Sequence, residues 1–385
     1  MEEFMVRNKG KIILIASICV VALAVIGSVL IYIYGAEKRG QMAQEPPAAT
    51  AVPTLQPDEE LPTPTPVPTK DPHAGKVRSA LTGEYISEKA ARQRPFAVII
   101  NNIEYANQRQ EGTSKIDVLY EALAEGGITR MLGVFQGTGK IKRLGSVRSA
   151  RHYFVSFARE WNAIFCHFGQ TSYAISKIKE LEVDNLSGLS AIGGVVYKRD
   201  YSVRAPHNVY TSGEKMLQGA KKLKYSTKFN KDKMARHFDF YEDDTDLPSG
   251  ERTTYVYLPF SAYSTCYLKY DKKSREYKKY EYGAKHKDHE NGKQLAFKNV
   301  IIQLVKETNI DRNGYQHLYL HKRKGEGYYI TNGKRIKITW RKNEEKGTMC
   351  YYDADGNVLA VNAGKTYIAA YPANRKKLIS FQNKK

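Results

Sequence analysis

"GSVRSARHYF", residues 145–154, sets Arg148 and Arg151 three positions apart, immediately ahead of an apolar and aromatic run. A helix N-terminus already carries partial positive charge. Two guanidinium groups there need either carboxylates or an external anion. Upstream, "DVLYEALAEGGITR" holds Asp117, Glu121 and Arg130; downstream, "YKRDYSVRAPHNVYTS" holds Arg199, Arg204, His207 and Asn208. Guanidinium forks grip carboxylate or phosphate bidentately, so Glu121, Arg130, Arg148, Arg151, Arg204, His207 and Asn208 form a candidate anion-binding set. Glu121 is the internal partner this pattern offers, paired to Arg130 or Arg148. One carboxylate leaves the other cations uncompensated, which favours a phosphate, pyrophosphate or carboxylate ligand in addition. The competing reading is a closed arginine–carboxylate network with no ligand.

Secondary candidates are Asn101 and Asn102 at the end of "RPFAVIINN", Asp117 four residues before Glu121, and His167 in "AIFCHFG", where a satisfied core histidine is the alternative. His286, Asp288, His289 and Glu290 in "EYGAKHKDHENGKQ" are ligand types for a metal. Their charge and the following Asn-Gly fit a solvated hairpin loop better, so neither metal nor cofactor is assigned. No Walker loop, dinucleotide fingerprint, G-x-S-x-G elbow or H-E-x-x-H is present. No catalytic residue is assigned, and whether a reaction is catalysed stays open.

The elements that must position these residues alternate. "PFAVIINN", "ITRMLGVFQ" and "AIFCHFG" read as strands, and "SARHYFVSFAREW" and "SYAISKIKELE" have helical apolar spacing. Ser149 is the expected N-cap of the first helix, with Arg148 and Arg151 projecting toward a pocket shared with Arg130. "KIDVLYEALAEGG" reads as mixed and helical at its end. Beyond residue 235, "TTYVYLPF", "STCYLKYD", "EYKKYEYG", "KNVIIQLV" and "GYYITNGKRIKITW" are rich in Tyr, Val, Ile and Thr. Asn332-Gly333 and Asp355-Gly356 separate alternating runs, a hairpin signal. The fold expected is therefore α+β: an α/β domain over 92–225, then a mostly antiparallel β domain over 235–378.

Ahead of both lies "IILIASICVVALAVIGSVLIYIY", Ile12 to Tyr34, uncharged throughout. At 1.5 Å per residue it reaches about 35 Å, enough to cross a bilayer core. It predicts a transmembrane signal anchor over 12–34, with 1–11 cytoplasmic and the bulk of the chain outside. Nine of the 14 prolines fall between Pro46 and Pro72, so 35–91 reads as an extended Pro/Thr-rich linker. The anchor is longer than a cleaved signal core, and Ile18 before Cys19 does not suit a lipidation site. Cys166, Cys266 and Cys350 read as small buried hydrophobes, with one disulfide as the alternative.

Net charge is +21. Residues 211–385 carry a basic surplus of 16 and the first 210 a surplus of 5. Such a surface suits an anionic neighbour. For an outward-facing chain the expected partners are the membrane through 12–34 and an anionic cell-wall polymer or lipid phosphate; nucleic acid is not expected.

"RPFAVIINN", "DVLYEALAEGGITRMLGVFQ", "GSVRSARHYF" and "RAPHNVYTS" resemble the N-terminal domain of the YerB-type lipoprotein family. "YEYGAKHKDHENGKQLAFKNVIIQLV", "ITWRKN" and "GKTYIAAYP" resemble its C-terminal domain. The likeness covers about 285 residues in the right order. It implies an extracytoplasmic protein on the outer face of a Gram-positive-type cell membrane. This chain departs in its anchor, a spanning run where a lipidated cysteine is usual. The resemblance brings no reaction with it. A looser likeness is to LytR-CpsA-Psr proteins, which have one N-terminal span and clustered arginines and acids that hold a polyprenyl pyrophosphate. Three functions remain from the sequence: an envelope binding protein with an arginine-lined anion site and a basic β domain, an enzyme of cell-wall glycopolymer or lipid-phosphate chemistry in which Glu121 or Asp117 holds a metal or acts as base, and a non-catalytic envelope scaffold.

Overall fold

The computed structural model describes residues 73–234, 236–321, 323–343, 347 and 349–384. The expected cytoplasmic segment 1–11, the anchor 12–34 and the linker up to residue 72 lie outside them. Among the described residues no helix is long and apolar enough to cross a membrane. Residues 76–91, read from sequence as linker, carry a small antiparallel hairpin, Lys76–Arg78 against Tyr85–Ser87. Leu81 in its turn is buried in the main core, so the folded unit begins before residue 92.

Phe96–Asn101 (β1), Val118–Leu123 (β2) and Thr129–Phe135 (β3) are buried at every position. Strands covered on both faces read as continuous apolar runs, not alternating ones. That is why β2 was legible only as an ambiguous segment. Its Leu-Tyr-Glu-Ala-Leu composition favours helix by propensity, but pairing on both edges overrides it. The expected helical end of "KIDVLYEALAEGG" is corrected to strand as far as Leu123, followed by a single 3-10 turn at Glu125–Gly127. Ile164–His167 (β4) and Asn185–Ser187 (β5) continue the sheet in parallel beyond β1. The helices His152–Glu160 (α1) and Ser172–Glu180 (α2) fall where the periodicity placed them.

The C-terminal half adds Tyr255–Pro259 (β6), Thr265–Asp271 (β7), Glu276–Glu281 (β8), Asn299–Val305 (β9), Arg323–Thr331 (β10), Lys334–Lys342 (β11), Met349–Tyr352 (β12) and Thr366–Pro372 (β13). At the β10–β11 hairpin Asn332 and Gly333 have φ of 48° and 79°, the left-handed pair that a two-residue turn of primed type requires. The main sheet runs β11, β10, β9, β13, β2, β3, β1, β4, β5. The two sequence halves meet inside it: β13 lies parallel to β2, with Thr366 opposite Val118 and Ala369 opposite Glu121.

Each face of this sheet carries a core built from both halves. On one, α1 packs Tyr153, Phe154 and Phe157 with Tyr120, Tyr329 and Ile368. On the other, the smaller sheet β6–β7–β8 brings Val256, Leu258 and Tyr277 against Leu119, Met131 and Tyr367. Each large apolar side chain so buried is worth about 1.5–3 kcal/mol. A buried ion pair adds to the joint: Lys342 of β11 donates to Glu160 at the end of α1.

Candidate functional site

Side chains alternate faces along a strand, and this alternation splits the predicted site in two. Asn101 and Arg130 are register partners across β1 and β3, and Ala122 of β2 faces Arg130 from the other side. Glu121 is the register partner of Met131 instead. Arg130 therefore leaves one face of the sheet and Glu121 the other. The pairing of Glu121 with Arg130 or Arg148, open from sequence, does not occur.

The arginine face is assembled where β1 and β4 end and β3 begins, the end of parallel strands where α/β sheets hold ligands. Its acid is Glu125, on the turn between β2 and β3. Arg151 clamps it as a fork, Nε to Oε2 at 2.8 Å with Nη2 on Oε1, and Arg130 Nη2 reaches the same Oε1 at 2.9 Å. Arg130 Nη1 donates to the Ser149 carbonyl at 2.9 Å and Arg151 Nη1 to that of Ala150 at 2.8 Å. Burial alone would raise the Glu125 carboxyl; the hydrogen bonds from Arg151 and the two guanidinium charges override it and hold it down to about 2. Burial and the Arg151 charge bring Arg130 down to about 10.

Arg148 is half-buried beside this clamp, its Nη1 3.3 Å from the Pro206 carbonyl. Burial and the charges of Arg151 and Arg199 lower its pKa despite Glu125. Arg199 donates to buried Asn208 at 2.7 Å and lies 4.8 Å over the Phe168 ring. Asn101 Nδ2 is 2.7 Å from His207 Nδ1, and burial, then Arg148 and Arg204, depress the His207 pKa. Arg204 is exposed and sits 4.7 Å over Tyr105. Asn101, Arg130, Arg148, Arg151, Arg204, His207 and Asn208 thus share one region. Four arginines, Arg130, Arg148, Arg151 and Arg199, face a single carboxylate. The buried Nε atoms of Arg130 and Arg148 have no acceptor among the described residues.

Several details differ from the sequence reading. Ser149 does not cap α1; the N-cap is Arg151, without a side-chain cap bond, and Ser149 Oγ turns to the Phe168 carbonyl at 3.3 Å. The Ser149 main-chain carbonyl is what the site uses. His167 bonds the Gly169 carbonyl at 2.9 Å and lies 3.2 Å from Asn185 Oδ1, a buried and satisfied histidine apart from the cluster. Asp117 lies at the other end of β2, bound by the Gln136 amide at 2.7 Å, and burial pushes it up to about 6. Four residues span about 13 Å of strand, so Asp117 and Glu121 never meet. Cys166, Cys266 and Cys350 are free thiols.

Glu121 belongs to a fully buried polar cluster on the opposite face. Its Oε1 accepts from Asn102 at 3.0 Å and Thr129 at 2.8 Å; its Oε2 accepts from Tyr367 at 2.9 Å and pairs with Lys279 Nζ at 3.0 Å. Lys279 also bonds Glu281 and lies 3.3 Å from His286 Nδ1. His286 in turn bonds Gln110 at 2.7 Å and Asn107 at 3.0 Å. Asp288 accepts from Gly112 and Ser114 amides at 3.0 and 2.9 Å. The segment expected to be a solvated loop is therefore, at His286 and Asp288, a buried joint between the two halves, because residues 107–114 close over it. Glu121, Cys266 and Glu281 do bring one ligand atom each within 4.8 Å. Lys279 already fills the cation's role among them, so the set is not a metal centre.

One cation among two buried carboxyls leaves a proton to be held. Burial and the Glu121 charge push Glu281 up to about 8 against Lys279. An unfolded glutamate ionises near 4.5. Between these values the folded state binds the extra proton, so the contribution of Glu281 to stability falls as pH rises from about 4.5 to about 8, against the buried histidines His152 and His237, whose lowered pKa gives the opposite sign below about 6.5. Asp117 acts with the same sign as Glu281 up to about 6. Glu281→Gln should flatten the upper part of this fall, read as urea midpoints near pH 6 and pH 8. An unchanged slope in the variant would remove Glu281 from the account.

Sequence reasoning missed Glu125, Lys279 and Glu281. Glu125 carried a usable signal: two glycines follow it, and Gly126 and Gly127 both adopt positive φ, 68° and 73°. A turn that tight folds its acid back over the sheet end beside Arg130.

Residues 81–226 match the family described as protein of unknown function (DUF3048), N-terminal domain, and residues 256–368 match its C-terminal domain. YerB of Bacillus subtilis (strain 168), named as a candidate lipoprotein, is 31% identical over 302 residues, which cover 78% of this chain and 87% of that protein. The crystal structure of YerB from Bacillus subtilis superposes with a TM-score of 0.69 at 29% identity, over 80% of this chain and 100% of that one.

Proposed function

This chain belongs to the DUF3048 family, and on that premise we propose that it is an extracytoplasmic envelope protein that holds a phosphate-bearing anion in its arginine cluster. The observation that carries the reading is the charge imbalance. Arg130 and Arg151 share Glu125, while Arg148 and Arg199 add two guanidinium groups with no carboxylate partner among the described residues. Gathering like charges in a half-buried site costs stability, and an anion offsets that cost. Guanidinium forks match phosphate geometry. The outward placement rests on the relative's description as a lipoprotein and on the uncharged run Ile12 to Tyr34, which would tether the unit as a signal anchor.

The test is thermal. Lys70–Lys385 forms one compact unit; pyrophosphate at a hundredfold excess over its dissociation constant should stabilise this unit 70–385 by about 2.7 kcal/mol, a rise of several degrees in melting temperature. Sulfate should do less and chloride at equal ionic strength nothing. A melting temperature that moves only with ionic strength would remove the site.

A further inference from the structure

Beside the cluster, on the outer side of Arg199, a cleft of about 410 Å³ opens, lined by Lys142, Arg143, Lys198, Arg199, Tyr201 and Lys215 among others. Its charges are not all available. Arg143 is engaged by Glu111 at 2.8 Å and by Asp200 at 2.5 Å. Lys142 and Lys198 are exposed and, with Lys215, make no ion pair among the described residues. Arg199 belongs to both places: its charge acts on Arg148 inside the cluster, and its side chain lines the cleft.

We infer that the anion site continues through Arg199 into this cleft, and that its ligand is a chain of repeated polyol phosphodiesters rather than an isolated phosphate. The inference rests on the arginine-site reading above and deepens it by naming the ligand class. Arginines grip one phosphate in a fixed fork, whereas lysines are point charges on flexible stems. Rigid forks inside and flexible charges outside suit a ligand anchored at one phosphate whose further phosphates trail outward. The aromatic residues separate this ligand from single-stranded nucleic acid, which is held by stacking on successive aromatic faces. Here Tyr210 is only 4% exposed and its ring is covered by the Arg143 guanidinium at 3.9 Å. Tyr201 alone, 88% exposed, presents a face. The cleft repeats charge, not stacking platforms.

Titrations of the unit 70–385 with a poly(glycerol phosphate), with pyrophosphate and with an oligothymidylate of matched charge test it. The polymer should bind more tightly than pyrophosphate. The double variant Lys142→Ala/Lys198→Ala should weaken the polymer roughly tenfold, as expected for two exposed charge contacts, and leave pyrophosphate unchanged. Both positions are exposed, and the unchanged pyrophosphate affinity reports an intact fold. If pyrophosphate binds but the polymer binds no better and ignores the variant, the extension is overturned while the arginine site stands. If oligothymidylate equals the polymer, the polyol phosphate is overturned as the ligand class. If neither pyrophosphate nor polymer binds, the arginine-site reading fails and the extension with it.

Discussion

Lys279→Met should lower the stability of the unit 70–385 by about 3–5 kcal/mol, the cost of breaking a buried charge set by removing one member. Lys279 has no solvent exposure, and among the described residues its Nζ is the only cation between Glu121 and Glu281. Methionine fills the volume but leaves two buried carboxyls facing each other. One can retain its proton, as Glu281 already tends to; the other must either ionise unpaired or take up a second proton. The damage spreads because the cluster ties β2, β8 and β13 through Glu121, Lys279 and Tyr367. Urea unfolding followed by the fluorescence of buried Trp161 and Trp340 gives the number. Adding Glu281→Gln to Lys279→Met should recover part of the loss, since it removes one of the two stranded acids. A loss under about 1 kcal/mol, or no recovery in the double variant, would mean that the cluster does not hold the halves together.

Arg151 and Arg148 should separate in their effects. From sequence alone, Arg151→Ala is expected to abolish anion binding and leave the fold intact. The structure alters that expectation, because Arg151 is 6% exposed and forks Glu125. Its removal leaves Glu125 to Arg130 alone and should cost roughly 2 kcal/mol, the range for hydrogen bonds to charged groups, together with the binding. Arg148 carries no such duty: it is half-buried, and its one side-chain hydrogen bond among the described residues is a 3.3 Å contact to the Pro206 carbonyl. Arg148→Ala should unfold at a urea concentration no lower than the parent's, since it relieves charge crowding, and should lose ligand affinity. If Arg151→Ala melts like the parent, the Glu125 clamp contributes nothing to stability.

The sequence was most informative where one physical signal dominated. The helical spacing of Tyr153, Phe154 and Phe157 located α1, and Asn332-Gly333 located a hairpin, because neither depends on distant contacts. The arginine site was legible as a set of residues but not as a geometry. Which face Glu121 takes is decided by the register that pairs it with Met131 and puts Ala122 opposite Arg130. What then covers Glu121 comes from β13, some 245 residues later in the chain, which lies beside β2 and brings Tyr367 to it. Lys279 and Glu281 stand in "EYKKYEYG", read from sequence only as a strand. Burying them requires partners from the first half, and no local pattern reports such partners. Ser149 misled for a subtler reason: a serine at the right place is a good cap by composition, yet the chain enters α1 two residues later and uses its carbonyl instead.

The central claim is that the arginine cluster is a ligand site and not a closed ion-pair network. Calorimetric titration of pyrophosphate into the parent unit 70–385 and into Arg148→Ala tests it most directly. Saturable binding in the parent, weakened about 10–100-fold in a variant no less stable, is the expected result, matching one lost charge-assisted contact. No saturable heat in the parent, or equal affinity in both proteins, would contradict it.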